Sequence, residues 1–223
     1  MLSTHKSRIR RVTVYGEEVR SFDVAAVCFD MDGVLVDSSE QVTLAIRKWA
    51  EETGVDVSGR HHEYQSLTES EFVGRIAPSL DSVAEANRIR EIERDLATLT
   101  RAVPGARDVY GRIPRDQSAI VTNGSRGVAT IRLWSAGIPL PPVFVTSDDV
   151  SRGKPDPEPY VVAMSRLGTA PERTLAIEDS VRGAVSAREA GMAVIGFDRG
   201  DGDPELRGVA DVMIPSMRSV LIS

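Results

Sequence analysis

The sequence predicts an α/β fold, a parallel sheet core with an inserted helical cap, on three grounds. Short apolar runs recur at Val24–Phe29, Ala119–Val121, Val143–Val145, Leu175–Ile177 and Ala193–Phe197. Unbroken apolar runs of this length read as strands covered on both faces, as in a parallel sheet. Helical patterns lie between them and stop at glycines: Arg126–Ala136 before Gly137, Glu158–Leu167 before Gly168, and Val181–Ala190 before Gly191. A glycine just past a helix accepts the left-handed conformation that ends it. Strands alternating with helices imply crossover connections. The alternation breaks between Asp37 and Val103, where the pattern is helical throughout.

Taken in order, Arg11–Phe22 alternates polar and apolar residues around Gly16, which predicts a small added hairpin within an N-terminal extension, 1–22. The basic stretch Lys6–Arg11, with Arg8, Arg10 and Arg11, reads as a solvated terminus. Val24–Phe29 is the first sheet strand and ends in Asp30. In the insert, Ser38–Gln41 has capping-box spacing and opens a helix carrying Val42, Ile46 and Trp49 toward Gly54. Thr68–Glu71 is a second such box. Ser82–Glu85 is a third, leading a helix with Val83, Ala86, Ile89, Leu96 and Leu99 at helical spacing. Pro104-Gly105 marks the return to α/β alternation. The expected division is a core of 23–36 and 104–223 with a cap of 37–103 over the active-site end.

Composition narrows the function classes. The chain has 223 residues, 41% apolar and 27% charged, an ordinary globular balance. Its net charge of -6 and pI near 5.2 argue against a general nucleic-acid binder. No apolar run approaches the ~20 residues that span a bilayer, and no signal-peptide core is seen at the N-terminus. The one cysteine, Cys28, cannot form an internal disulfide. The expectation is a cytoplasmic protein without nucleic-acid or membrane partners.

Four segments carry candidate chemistry, each at the C-terminal end of an expected strand, the edge where open parallel sheets bind ligands. Phe29-Asp30-Met31-Asp32-Gly33 sets two carboxylates two residues apart after a buried strand. One can attack phosphorus as a nucleophile, and the other can protonate the leaving oxygen and later deprotonate water. Alone, this pattern also reads as a strand-ending turn with a helix cap. Thr122-Asn123-Gly124-Ser125 offers a hydroxyl and backbone N–H groups at a helix start, a site for phosphate. In isolation it is an ordinary N-cap. Lys154, in the stiff loop Gly153-Lys154-Pro155-Asp156-Pro157, can neutralise a transferring phosphoryl group. Glu178-Asp179-Ser180 supplies hard oxygen ligands for Mg2+, with Asp30 and Asp179 sharing the ion and the Asp32 carbonyl as a further ligand. Glu178 can then pair with Lys154. Their coincidence in order makes a complete phosphoryl-transfer site.

The set FDMDGVLVDS, VTNGS, GKPDPEPY and IEDSVRGAVSAREAGM resembles the haloacid dehalogenase superfamily, in its β-phosphoglucomutase-like branch with a helical cap after the first strand. The resemblance covers Asp23 to Val212. It implies a Rossmann-like core, with Asp30 as nucleophile, Asp32 as acid/base, and Thr122 and Lys154 as phosphate binders. It places Asp179, with Glu178, at the magnesium site. From Val103 to Gly196 the chain looks most like sugar-phosphate and polyol-phosphate phosphatases, typified by 2-deoxyglucose-6-phosphatase and glycerol-3-phosphatase. Family dehalogenases lack the acid/base aspartate that stands here at Asp32. The cap departs from those phosphatases. Their Gly-Arg pair aligns with Ser66-Leu67, while Gly59-Arg60 lies several residues earlier.

The expected function is therefore Mg2+-dependent hydrolysis of a small phosphorylated metabolite through a phospho-aspartyl intermediate. A phosphomutase of the β-phosphoglucomutase type and a catalytically silent binding protein are the alternatives. Selectivity is expected from the cap loop Gly59–Thr68, through Arg60, His61, His62, Tyr64 and Ser66, which can donate hydrogen bonds to hydroxyls or a second anionic group.

Overall fold

The computed structural model describes residues 10–16, 18–59, 64, 67–200 and 202–223. It begins with an antiparallel hairpin of β1 (Arg10–Tyr15) and β2 (Val19–Val24), with Val12 opposite Phe22. Val12 and Val14 alternate inward and are fully buried. β3 (Ala26–Phe29) is buried at every residue. The expected run Val24–Phe29 is thus divided. Val24 stays in hairpin register opposite Arg10, and the Ala25 N–H turns to the Arg173 carbonyl at 2.8 Å before the parallel strand starts.

The helical insert follows. It leaves through β4 (Val36–Asp37) and returns through β5 (Arg101–Ala102), which pair antiparallel. Between them lie α1 (Ser39–Thr53), α2 (Glu69–Ile76) and α3 (Ser82–Leu96). Their inward faces share a separate apolar cluster that includes Ile46, Trp49, Phe72, Val73 and Ile89. Trp49 is fully buried and donates from Nε1 to Glu85 at 2.7 Å.

Of the expected capping boxes, Thr68–Glu71 forms in full: the Glu71 N–H donates to Thr68 Oγ1 and the Thr68 N–H to the Glu71 carboxylate. The others are corrected. Ser38 precedes α1 but makes no cap bond, because its hydroxyl donates instead to Asp32 Oδ1 at 2.5 Å. α3 is capped by Asp81, one residue upstream of Ser82, whose carboxylate accepts from the Val83 and Ala84 N–H groups. A carboxylate at the positive end of the helix outcompetes the neighbouring hydroxyl. Val83 and Leu99, placed on the apolar face by spacing, are exposed.

The remaining chain is α4 (Ala106–Arg112), β6 (Ser118–Val121), α5 (Arg126–Ser135), β7 (Val143–Val145), α6 (Glu158–Leu167) and β8 (Thr174–Glu178). It continues through α7 (Val181–Glu189), β9 (Ala193–Phe197), α8 (Pro204–Val209), β10 (Val212–Ile214) and β11 (Val220–Ile222). β11 pairs antiparallel with β1 and joins the chain's end to the hairpin. The central sheet has the order β10-β9-β8-β3-β6-β7, and every pairing in it is parallel. Val27 and Phe29 pack on one face with Ile120, Leu175 and Ile177, while Cys28 packs on the other with Ala119, Val121 and Ala176. No helix among the described residues is long and apolar enough to cross a membrane.

This order positions the site. From β3 the chain runs outward through β6 to β7, crosses back to β8, and runs outward again through β9 to β10. Loops therefore diverge above the C-terminal ends of β3, β6 and β8, and the crevice between them is where such sheets bind ligands.

Candidate active site

A cavity of about 350 Å³ opens at that edge, and Asp30, Asp32, Thr122, Asn123, Lys154 and Asp179 all line it. Asp30 follows the last residue of β3, Thr122 follows β6, and Asp179 follows Glu178, the last residue of β8. Each strand end thus delivers its side chain to one place. Lys154 arrives from the loop between β7 and α6.

Lys154 is the centre of the buried charge. Its Nζ donates to Asp30 Oδ1 at 2.5 Å, to Glu178 Oε1 at 2.6 Å and to the Val121 carbonyl at 2.8 Å. The Tyr160 hydroxyl donates to the same Glu178 oxygen at 2.5 Å. Glu178 is wholly buried, so Lys154 and Tyr160 are what permit a carboxylate there. Burial alone would lower Lys154, but Asp30 and Glu178 reverse this and hold it above its usual range. Burial pushes the Asp30 carboxyl well above the ordinary carboxylate range; Lys154 opposes the rise, and Glu178 and Asp179 add to it. Asp179 is pushed up to about 7, by burial first and then by Glu178, with Arg199 opposing from 3.6 Å.

Asp30, Glu178 and Asp179 offer carboxylate oxygens that lie within 4.8 Å of one another. Three hard anionic donors facing one point, with one ammonium to offset them, fit a divalent cation that prefers oxygen ligands. The turn geometry fits too. Gly33 has φ +90°, and a Cβ there would sit 1.7 Å from Asp179 Oδ2, so only glycine lets the first loop approach this carboxylate.

Asp32 has partners other than the lysine. Its Oδ1 accepts from Ser38 Oγ at 2.5 Å and from Arg132 Nη1 at 3.0 Å. Thr122 is buried, and its Oγ1 accepts from the Gly124 N–H at 3.0 Å, which shapes the loop into α5. Asn123 lines the cavity, and its side chain clamps the lysine loop. Oδ1 accepts from the Lys154 N–H at 2.8 Å, and Nδ2 donates to the Lys154 carbonyl at 3.1 Å.

Of the cap-loop residues, Arg60, His61, His62 and Ser66 lie outside the described residues. Tyr64 lines the cavity but is buried, its ring edge-on to Phe72 at 5.1 Å between centroids. Burial and the neighbouring Glu93 push its hydroxyl well above the usual range. The insert also sends Glu69 and Glu93 into the wall of the cavity, both buried. Local sequence patterns give Tyr160, Arg132 and Glu93 no site role, and give Ser38 only that of a helix cap. Arg132 carried a signal: it stands four residues after Val128 and next to Leu133 on the inward face of α5, where a charge must have a partner.

Comparison with known proteins agrees with this geometry. The profile of the haloacid dehalogenase-like hydrolase family matches residues 27–197. Hexitol phosphatase A of Escherichia coli (strain K12) is 34% identical over 200 residues, covering 87% of this chain and 92% of that protein. Validoxylamine A 7'-phosphate phosphatase of Streptomyces hygroscopicus subsp. limoneus is 30% identical, covering 86% and 93%. Among solved structures, CbbY from Rhodobacter sphaeroides in complex with phosphate superposes with a TM-score of 0.76 at 25% identity, covering 87% of this chain and 95% of that one.

Proposed function

Because the chain belongs to the haloacid dehalogenase-like hydrolases, we propose that it is a magnesium-dependent phosphatase acting on a sugar or polyol monophosphate through a phospho-aspartyl intermediate. The observation that carries this reading is the convergence of Asp30, Asp32, Thr122, Lys154 and Asp179 on one cavity.

An Asp30 oxygen attacks phosphorus, and the bond from phosphorus to the leaving oxygen breaks. Asp32, protonated for this step, gives its proton to that oxygen, so the alcohol leaves neutral. The resulting Asp32 carboxylate takes a proton from water as the water oxygen attacks phosphorus. The acyl-phosphate bond breaks, inorganic phosphate leaves, and Asp30 is restored as a carboxylate. Lys154 and Thr122 bind the phosphoryl oxygens, with Lys154 balancing charge that the transition state spreads over them. Asp30, Asp179, Glu178 and the Asp32 carbonyl would hold magnesium, which would supply positive charge to offset that of the phosphate.

The helices of 37–103 act as a cap that recognises the leaving group. A buried carboxylate at Glu69 accepts hydrogen bonds from hydroxyls, which suits a neutral polyol better than a second phosphate. Both relatives above carry phosphatase names, which favours hydrolysis over a mutase outcome.

The test is Asp30→Asn. The shape is nearly kept, but an amide cannot act as the nucleophile. The variant should melt like wild type and release no phosphate from hexitol phosphates or p-nitrophenyl phosphate. Activity within about tenfold of wild type, a barrier change of only ~1.4 kcal/mol, defeats the mechanism. Full wild-type activity in EDTA defeats the metal assignment.

A further inference from the structure

We infer that Arg132, held by Glu93 of the helical insert, is a positioning residue for the acid/base Asp32. Arg132 lies in the middle of α5, outside the loops that carry the expected motifs, and is 4% exposed. Its guanidinium spans two carboxylates. Nη1 donates to Asp32 Oδ1 at 3.0 Å, and Nη2 donates to Glu93 Oε1 at 2.8 Å. Glu93 is itself buried and comes from α3 of the insert.

The arrangement has the form of a support. A guanidinium is planar, and its two terminal nitrogens can engage separate acceptors in fixed directions, which an ammonium cannot do. Buried in this way, Arg132 requires compensating negative charge, and Glu93 supplies the part that Asp32 does not. Ser38 and Arg132 both act on Oδ1 of Asp32. Neither occupies Oδ2, so the carboxylate is held by one oxygen while the other remains for proton transfer. Arg132 and Glu93 both line the cavity, so the support stands beside the substrate and ties the acid/base to the insert.

This inference rests on the reading of Asp32 as acid/base, and the experiment separates the two. Protonation of the leaving oxygen matters greatly for an alkyl alcohol and little for p-nitrophenolate, a stable anion. The water-attack step still needs the base with either ester. Arg132→Lys, which keeps the charge and loses the fork, should therefore lower kcat on the alkyl phosphate that wild type turns over fastest by roughly 10- to 100-fold. With p-nitrophenyl phosphate it should show a burst near one equivalent of nitrophenolate before slow turnover. KM should hardly change on the alkyl ester and should fall with p-nitrophenyl phosphate, because the phospho-enzyme accumulates. Glu93→Gln should give a smaller loss of the same pattern, and it serves if Arg132→Lys melts early. Asp32→Asn is the reference and should show the full pattern. If Asp32→Asn shows the split and both other variants lose activity equally on both esters without a burst, Arg132 does not position Asp32. A raised KM with kcat held would make it a substrate contact instead. Absence of the split in Asp32→Asn would remove the acid/base assignment and this inference with it.

Discussion

Replacing Gly183 of α7 by alanine should destabilise this protein, against the usual direction for a glycine in a helix. Gly183 lies in the first turn of α7, and its N–H donates to the capping Ser180 hydroxyl at 3.1 Å. In an ordinary helix the change stabilises by about 1 kcal/mol. Here an added Cβ would fall 2.0 Å from Glu178 Oε2, 2.1 Å from its Cδ and 2.2 Å from Oε1. The end of a flexible side chain normally moves aside, but Glu178 is wholly buried and pinned by Lys154 at 2.6 Å and Tyr160 at 2.5 Å. Swinging it clear breaks both bonds, and hydrogen bonds to charged groups contribute about 1.5–3 kcal/mol each, a loss of about 3–6 kcal/mol. Less the helix gain, the net destabilisation is about 2–5 kcal/mol, or roughly 4–20 °C in Tm for a chain of this length. Lys154 also loses an anchor beside Asp30, so phosphate release should fall about 100-fold or more. Thermal denaturation and phosphate release from p-nitrophenyl phosphate measure both. A Tm equal to or above wild type with activity retained would refute the reasoning.

Two further outcomes are expected. Burial raises Asp149, but the Thr146 N–H and hydroxyl, Arg166 and Arg126 more than offset it and leave it at about 2, against an ordinary 3.8. A carboxylate lowered by folding stabilises above its unfolded pKa and loses that contribution as pH falls through the folded one. Asp149→Asn should therefore unfold at lower denaturant than wild type at neutral pH, with the gap closing between about pH 4 and about pH 2; a gap that widens on acidification contradicts this. Cys28, fully buried in β3, is pushed up to about 12 by burial, with Lys154 opposing. The thiolate is the reactive form, so iodoacetamide should leave the native protein unmodified and label it once denatured; labelling of folded protein at the denatured rate would show that β3 opens.

Much of the site was legible because its residues obey local rules. Asp30, Thr122 and Asp179 each stand at the end of an apolar run, and a parallel sheet brings all such ends to one edge whatever the strand order. Residue type then suggested the chemistry proposed for them: carboxylates for attack and metal, a hydroxyl and an ammonium for phosphate. Helix existence was equally local, read from apolar periodicity and from glycines such as Gly168 with φ +66°. Short elements carry no such signal: α4, α8, β4, β5, β10 and β11 span too few residues for periodicity to register.

Competition between partners was not local, and there only the tertiary structure decided. Ser38 has the spacing of a helix cap, yet Asp32 takes its hydroxyl. Asn123 follows a strand end in a loop with the look of a phosphate binder, yet the Lys154 backbone, 31 residues away, takes both ends of its side-chain amide. Arg132 reads as one more residue of an amphipathic helix until it meets Asp32, 100 residues distant, and Glu93, 39 residues distant. A sequence states which groups can donate and accept. A buried group pairs with whatever the packing brings within about 3 Å of it, because the alternative is an unpaired polar group out of reach of water. In this chain the motifs named the reacting groups, and the packing of the helical insert on the sheet chose what holds them in place.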